Sequence, residues 1–274
     1  MSGNRMVETA WGPVAVSDAG QGEAALFLIH GNSSLKEVFA PTIAAFRDRW
    51  RVVAMDLPGH GASPDAADPD RVYTIPGYAR VAQAVIAALG LRPVAVFGWS
   101  LGGHIGLEMV AQGADLAGLV ICGTPPVTFS GPLAGRGFLP SPELSLAGQE
   151  SFSEQDCLAY GAATVGGAEH LTPALLAGVR RTHGLARKTM FAGILARELA
   201  DEKALVERMA VPLAVIDGSD DVFLDHDYVE TGPAYASLWE GRRHVIAGAG
   251  HAPFLTHADR FNAHLGRFLE QVLA

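Results

Sequence analysis

Four short stretches of this chain are apolar at every position: Ala25-Leu26-Phe27-Leu28-Ile29, Val94-Ala95-Val96-Phe97, Leu119-Val120-Ile121-Cys122 and Leu213-Ala214-Val215-Ile216. Side chains of a strand alternate between its two faces, so a run without polar alternates is buried on both. The runs are too short for buried helices and have the length of strands. Strands of this kind belong to a mainly parallel sheet covered by helices on both sides. Helical stripes accompany them. Tyr78, Val81, Ala82, Val85 and Leu89 fall on one helix face, with Gly90 placed as a C-terminal stop, and Phe261, Leu265, Phe268, Leu269 and Val272 form a last helix. His264 sits on that last helix and reads as a helix-face histidine rather than a ligand. The expected class is α/β, a mainly parallel central sheet flanked by helices.

The strand–helix rhythm stops between about Pro125 and Met209. That segment opens on a Gly- and Pro-rich stretch, Gly123 to Pro142, and continues as helix-like pieces without a convincing strand. The expectation is therefore a core built from residues 1–124 and 210–274, with 125–209 as a helical cap insertion over the sheet.

Composition narrows the partners. Hydrophobic residues make up 49% of the 274 positions and charged residues 18%, which suits a packed globule rather than a disordered chain. Twenty Lys and Arg against 29 Asp and Glu give a net charge of −9, a surface that repels phosphate backbones and anionic lipid. Nucleic acid and membrane are not expected partners. No apolar run reaches the length of a membrane span, and residues 1–16 lack the apolar stretch of a secretory signal. Cys122 and Cys157 are too few for a disulfide framework and read as two core thiols. A cytoplasmic protein is expected, as monomer or homodimer.

The chemistry concentrates at Gly98-Trp99-Ser100-Leu101-Gly102-Gly103, a G-x-S-x-G sequence between a buried strand and a helix pattern. Glycines on either side let strand and helix backbones approach, leaving Ser100 at the tip of a sharp turn as a nucleophile. The free N–H groups of the following helix face the same point. Phosphate-cradling alternatives fail, since neither G-x-x-x-x-G-K-[ST] nor G-x-G-x-x-G occurs. A serine hydroxyl needs a base. His251, in Gly248-Ala249-Gly250-His251-Ala252-Pro253 after the last apolar run, is placed to reach back across the sheet edge. An acid must orient that base, and Asp220 and Asp221 follow the strand Leu213–Ile216. Asp221 is the choice and Asp220 the alternative, the other of the two being left to cap the turn or face solvent. The first buried strand ends in His30-Gly31-Asn32-Ser33-Ser34, which offers the Asn32 N–H to pair with that of Leu101 as an oxyanion hole and the Asn32 amide for substrate. His30 and His60, the latter in Asp56-Leu57-Pro58-Gly59-His60-Gly61-Ala62-Ser63, read as structural. Asp225-His226-Asp227 reads as a solvated turn, and with no H-x-H-x-D, H-E-x-x-H or C-x-x-C spacing neither a metal nor a cofactor is expected.

Together these blocks resemble the α/β-hydrolase superfamily, in which a carboxylate at the elbow would mark epoxide hydrolases and dehalogenases; Ser100 excludes it. The match narrows further. The blocks at His30–Ser34, Phe97–Gly106, Gly123–Val127 and Leu146–Glu150 look like the quorum-quenching N-acyl-homoserine lactonases of that fold. The last two lie at or inside the insertion, where the superfamily diverges most. The resemblance implies the α/β-hydrolase fold with a helical cap, no cofactor, and substrate contact by Asn32 and the cap residue Tyr160, with Trp99 beside the serine. The acid position, a glutamate in a member of that group, is Asp221 here, one methylene shorter, and Val222 stands where a proline is common. The implied reaction is opening of the lactone ring by Ser100, His251 and Asp221. Phe129, Phe138, Leu139 and Phe152 are candidate walls for the acyl chain. A general carboxylesterase acting on small esters is the alternative, which predicts comparable rates on aryl esters and lactones. A perhydrolase activity and a non-catalytic receptor are the remaining readings.

Overall fold

A computed structural model of the protein describes residues 3–274. Its sheet has eight strands: β1 Gly3–Val7, β2 Val14–Ala19, β3 Ala25–Ile29, β4 Arg51–Met55, β5 Val94–Trp99, β6 Gly118–Cys122, β7 Leu213–Gly218 and β8 His244–Ile246. The spatial order is β1-β2-β4-β3-β5-β6-β7-β8. β2 runs antiparallel to β1 and β4, and every pairing from β4 through β8 is parallel. The helices are α1 Ala40–Phe46, α2 Pro69–Val72, α3 Ile75–Ala88, α4 Leu101–Ala111, α5 Pro142–Leu146, α6 Glu154–Val165, α7 Pro173–Arg181, α8 Gly184–Leu195, α9 Glu202–Val206, α10 His226–Thr231, α11 Pro253–Thr256 and α12 Ala258–Val272.

The double-sided apolar strands divide their side chains between two cores. Phe27, Ile29, Val96, Leu119, Ile121 and Val215 meet the inner faces of α3 and α4. Leu26, Leu28, Phe97, Val120, Ala214 and Ile216 share the other core with α12, whose Phe261, Leu265, Phe268 and Leu269 are all buried. At about 1.5–3 kcal/mol for each large side chain removed from water, these two layers supply the main stabilisation of the sheet.

The apolar rule finds the central strands and misses β1, β2 and β4. β1 is mostly exposed, and β2 carries half-exposed Ser17 and Asp18. β4 opens on Arg51, whose guanidinium pairs with Asp18 at 2.8 Å across the antiparallel edge. In β1 and β2 polar residues at the sheet margin break the apolar run without breaking the strand, whereas β4 carries a buried apolar run, Val52–Met55, that the four stretches leave out. Between β6 and β7 the chain forms α5 to α9 and no strand longer than the single bridge from Phe138 to Leu224. Among the described residues, no helix is long and apolar enough to cross a membrane.

Candidate active site

Parallel strands end on one edge of a sheet, and β3, β5, β6 and β7 all deliver loops there. Ser100 follows β5 directly, at φ 54° and ψ −119°, a conformation disfavoured for a residue with a Cβ. The turn that imposes it is too tight for side chains: a Cβ on Gly98 would strike the carbonyl of Gly102, and one on Gly102 the carbonyl of Ile29. Cys122 O accepts the Ser100 N–H at 2.8 Å, and Thr124 Oγ1 donates to Ser100 O at 2.9 Å, so β6 pins the strained residue. α4 begins at Leu101, whose N–H belongs to a first turn without intrahelical acceptors.

His251 and Asp221 meet at the same edge. His251 Nδ1 donates to Asp221 Oδ2 at 2.7 Å, and the other carboxylate oxygen accepts the Phe223 N–H at 2.9 Å. Both side chains are buried. The bond sets the tautomer, leaving Nε2 of a neutral ring as the proton acceptor. Phe223 lies edge-on to the imidazole at 4.9 Å, and Trp99 lies tilted to it at 5.6 Å. Gly123, in the left-handed region at φ +62°, closes another side of the ring: a Cβ there would lie 2.5 Å from His251 Cε1. Asp220 is exposed and accepts the Ser219 hydroxyl instead.

The loop after β3 crosses this corner at contact distance. A Cβ on Gly31 would lie 3.2 Å from that of Ser100 and 3.1 Å from the Trp99 ring, tighter than ordinary contact, so the bare glycine eases the close passage of the Asn32 peptide. His30 fixes the loop from below, donating from Nδ1 to Gly31 O and accepting the Leu57 N–H at Nε2. Asp56, fully buried, accepts the Lys36 N–H at 2.7 Å, the Lys36 ammonium at 2.9 Å and the Ala62 N–H at 2.9 Å. The turn-rich stretch from Asp56 to Ser63 is thus a brace for the loop.

Asn32 reaches into the helical segment. Its amide donates to Ala147 O at 2.9 Å and to the Tyr160 hydroxyl at 3.2 Å. Tyr160 lies on α6, whose start is fixed by a capping box between Ser153 and Asp156. Burial pushes the phenol up to about 12, so Tyr160 keeps its proton near neutrality. Phe152 lies against the Tyr160 ring at 5.6 Å, and the Arg187 guanidinium covers Phe152 at 3.9 Å. Arg187 also holds the segment's loop through Gln149 O and Glu150 O.

Some expectations need correcting. Trp99, expected on substrate, is buried in the core and gives its only donor to His251 O at 2.8 Å. Of the proposed acyl-chain walls, Phe152 joins this cluster. Phe138 instead lies beside His104, Phe129 beside Arg197, and Leu139 is exposed. His226 is not in a solvated turn: it is half-buried, with Nε2 against Asp221 O at 3.2 Å and Nδ1 facing Arg243 at 2.7 Å. Asp217 and Arg243, absent from the sequence reading, form a buried pair beneath the histidine. The available signal was a carboxylate at the end of an otherwise apolar strand.

Comparison with known proteins agrees with this architecture. The model of the alpha/beta hydrolase family matches residues 26–264. A structure of a mutant N-acyl homoserine lactonase AidH complexed with N-hexanoyl homoserine is 42% identical, covering 99% of this chain and 98% of that one, with a TM-score of 0.94. Another AidH mutant, complexed with N-hexanoyl homoserine lactone, is 43% identical with a TM-score of 0.93, covering 98% of each chain. The pimeloyl-[acyl-carrier protein] methyl ester esterase of Methylococcus capsulatus is 32% identical over 85% of this chain and 89% of its own. With its eight-stranded sheet, its serine turn and a family match over most of its length, the chain belongs to the alpha/beta hydrolase family.

Proposed function

We propose that this protein is a serine hydrolase that opens the lactone ring of N-acyl-homoserine lactones. The observation that carries the reading is the Asn32–Tyr160 hydrogen bond, which joins the loop beside Ser100 to the helical segment. Similarity to AidH extends through that segment, since it covers nearly the whole chain. The segment, residues 125–209, then serves as a cap that forms the roof of the site.

In this mechanism His251 Nε2 takes the Ser100 hydroxyl proton as Oγ bonds to the ring carbonyl carbon. The N–H groups of Asn32 and Leu101 hold the oxyanion, each contributing about 3 kcal/mol to the barrier reduction. Collapse breaks the ring C–O bond, and His251 returns the proton to the departing oxygen. The resulting acyl-enzyme ester still carries that hydroxyl. Its effective concentration at the ester reaches about 10⁵ M when well aligned, so reclosure competes with hydrolysis. Tyr160 answers this: its oxygen accepts from Asn32, and its own proton is left to bind the new hydroxyl and hold it away. A water deprotonated by His251 then releases the acyl-homoserine and restores Ser100. Asp221 keeps the imidazole oriented and stabilises its charged form throughout.

The second reading, a carboxylesterase acting on small esters, is favoured by the relative from Methylococcus capsulatus, a methyl ester esterase. The two separate on one panel: kcat/KM for N-hexanoyl- and 3-oxo-dodecanoyl-homoserine lactone beside dimethyl pimelate and p-nitrophenyl acetate. The lactonase reading expects at least one lactone to exceed both esters. Turnover of esters alone hands the protein to the esterase reading. We further propose a cytoplasmic setting, supported by two cysteines that are both free and buried.

A further inference from the structure

We propose that Asp217, Arg243 and His226 are positioning residues that hold the Asp221–His251 couple in register with Ser100. The inference rests on the serine-hydrolase reading and adds residues that the catalytic steps do not touch.

The contacts form a closed circuit. Asp217 Oδ1 accepts the Gly123 N–H at 2.8 Å, and Gly123 is the backbone against which the His251 ring rests. Asp217 Oδ2 accepts Arg243 Nε at 2.7 Å. Arg243 Nη2 lies 2.7 Å from His226 Nδ1, and His226 Nε2 lies 3.2 Å from the carbonyl oxygen of Asp221. Asp221 Oδ2 then returns to His251 Nδ1.

Proton placement around the circuit is forced. A guanidinium only donates, so His226 Nδ1 must accept. A neutral imidazole with Nδ1 accepting carries its proton on Nε2, which therefore donates to Asp221 O. Asp221 is thus fixed by its own backbone, and His251 is supported from the Gly123 side. The fork of Arg243 matters here, since one planar group must address a carboxylate and an imidazole at once. The Asp217–Arg243 pair is buried on both sides, an arrangement that favours one discrete geometry. The charges beside His226 along the chain are Asp225, which caps α10, and Asp227, and Arg136 reaches both carboxylates.

The test reads the machinery without a natural substrate. Phosphonylation of Ser100 by an alkyl fluorophosphonate, followed by intact mass, gives a maximal labelling rate and a half-saturating concentration for each variant. His226→Leu removes both bonds, and Arg243→Lys keeps the charge opposite Asp217 but loses the fork. Each is expected to lower the maximal rate about tenfold to a hundredfold while half-saturation changes by less than about twofold. His226→Gln can accept with Oε1 and donate with Nε2, and is expected to recover most of the parental rate. Parental labelling rates in the folded Leu and Lys variants would overturn the proposal. So would a Gln variant as slow as the Leu variant. Should His226→Leu fail to fold, Arg243→Lys decides alone by the same criterion. A parent protein that does not label at Ser100 refutes the serine-hydrolase reading itself, which is a different result from a labelled parent with unaffected variants.

Discussion

The proposed acid of the triad is chosen between neighbours that differ by one position. Asp221 is buried with one oxygen on His251 and the other on a backbone N–H, whereas Asp220 faces solvent and a serine hydroxyl. Replacing Asp221 by Asn removes the charge that fixes the imidazole tautomer, and kcat on p-nitrophenyl acetate is expected to fall about 10³- to 10⁴-fold. Asp220→Asn is expected to change it by less than about threefold; an equal loss in both would remove Asp221 from the mechanism. Tyr160 gives a pH prediction. An exposed phenol is half ionised near 10, but burial moves this one to about 12, so it remains a donor throughout the range in which lactones can be assayed. Tyr160→Phe is expected to slow net lactone turnover about tenfold, the size of one lost hydrogen bond that holds the new hydroxyl away from the acyl-enzyme. The ratio of parent to variant should stay level between about pH 8 and pH 10. A ratio that collapses over that interval would place the phenol in water.

Single elements show where local sequence decides and where it does not. The turn from β5 to α4 was legible because its requirements are local: glycines at two close backbone approaches, with an apolar run before and a helix after. α12 was legible because its stripe faces one core, and Phe268→Ala is expected to cost about 3–5 kcal/mol in urea unfolding. Trp99 was misread because adjacency in sequence to Ser100 says nothing of which way a strand side chain points; it belongs to the α12 face of the sheet. The start of β8 carries a histidine with a stability consequence. Burial, and then the neighbouring His264, lower His244 from 6.5 to about 4, with Glu240 opposing and Arg242 and Arg267 reinforcing the shift. The unfolded chain therefore binds this proton first, so stability is present above about 6.5 and lost as pH falls through about 4. His244→Phe keeps a ring against Trp239 and removes that titration. Its Tm should gain on the parent steadily as pH drops from about 7 to about 4; a constant difference would contradict the assignment.

At the scale of the whole molecule, order along the chain and order in the sheet carry different information. Ser100, an acid after β7 and a histidine after β8 were read from their succession, because parallel strands bring successive loops to one edge. The Asp217–Arg243–His226 circuit could not be read that way. Its members lie on a strand end, a loop and a short helix, and meet only because β7 and β8 pair in the register that sets Ile216 against His244. The helical segment was legible as helices and not as a surface. Its contact with Asn32 depends on a carbonyl at Ala147 and a hydroxyl at Tyr160, which no periodicity marks. What unites the molecule in this account is a proposed reaction corner at the ends of β3, β5, β6, β7 and β8, with the segment between β6 and β7 as its proposed roof. The direct test is pH-stat titration of N-hexanoyl-homoserine lactone opening by the parent protein and by Ser100→Ala. The account predicts steady acid release by the parent and a rate at least about 10⁴-fold lower in the variant. Ring opening by Ser100→Ala at anything near the parental rate would contradict it.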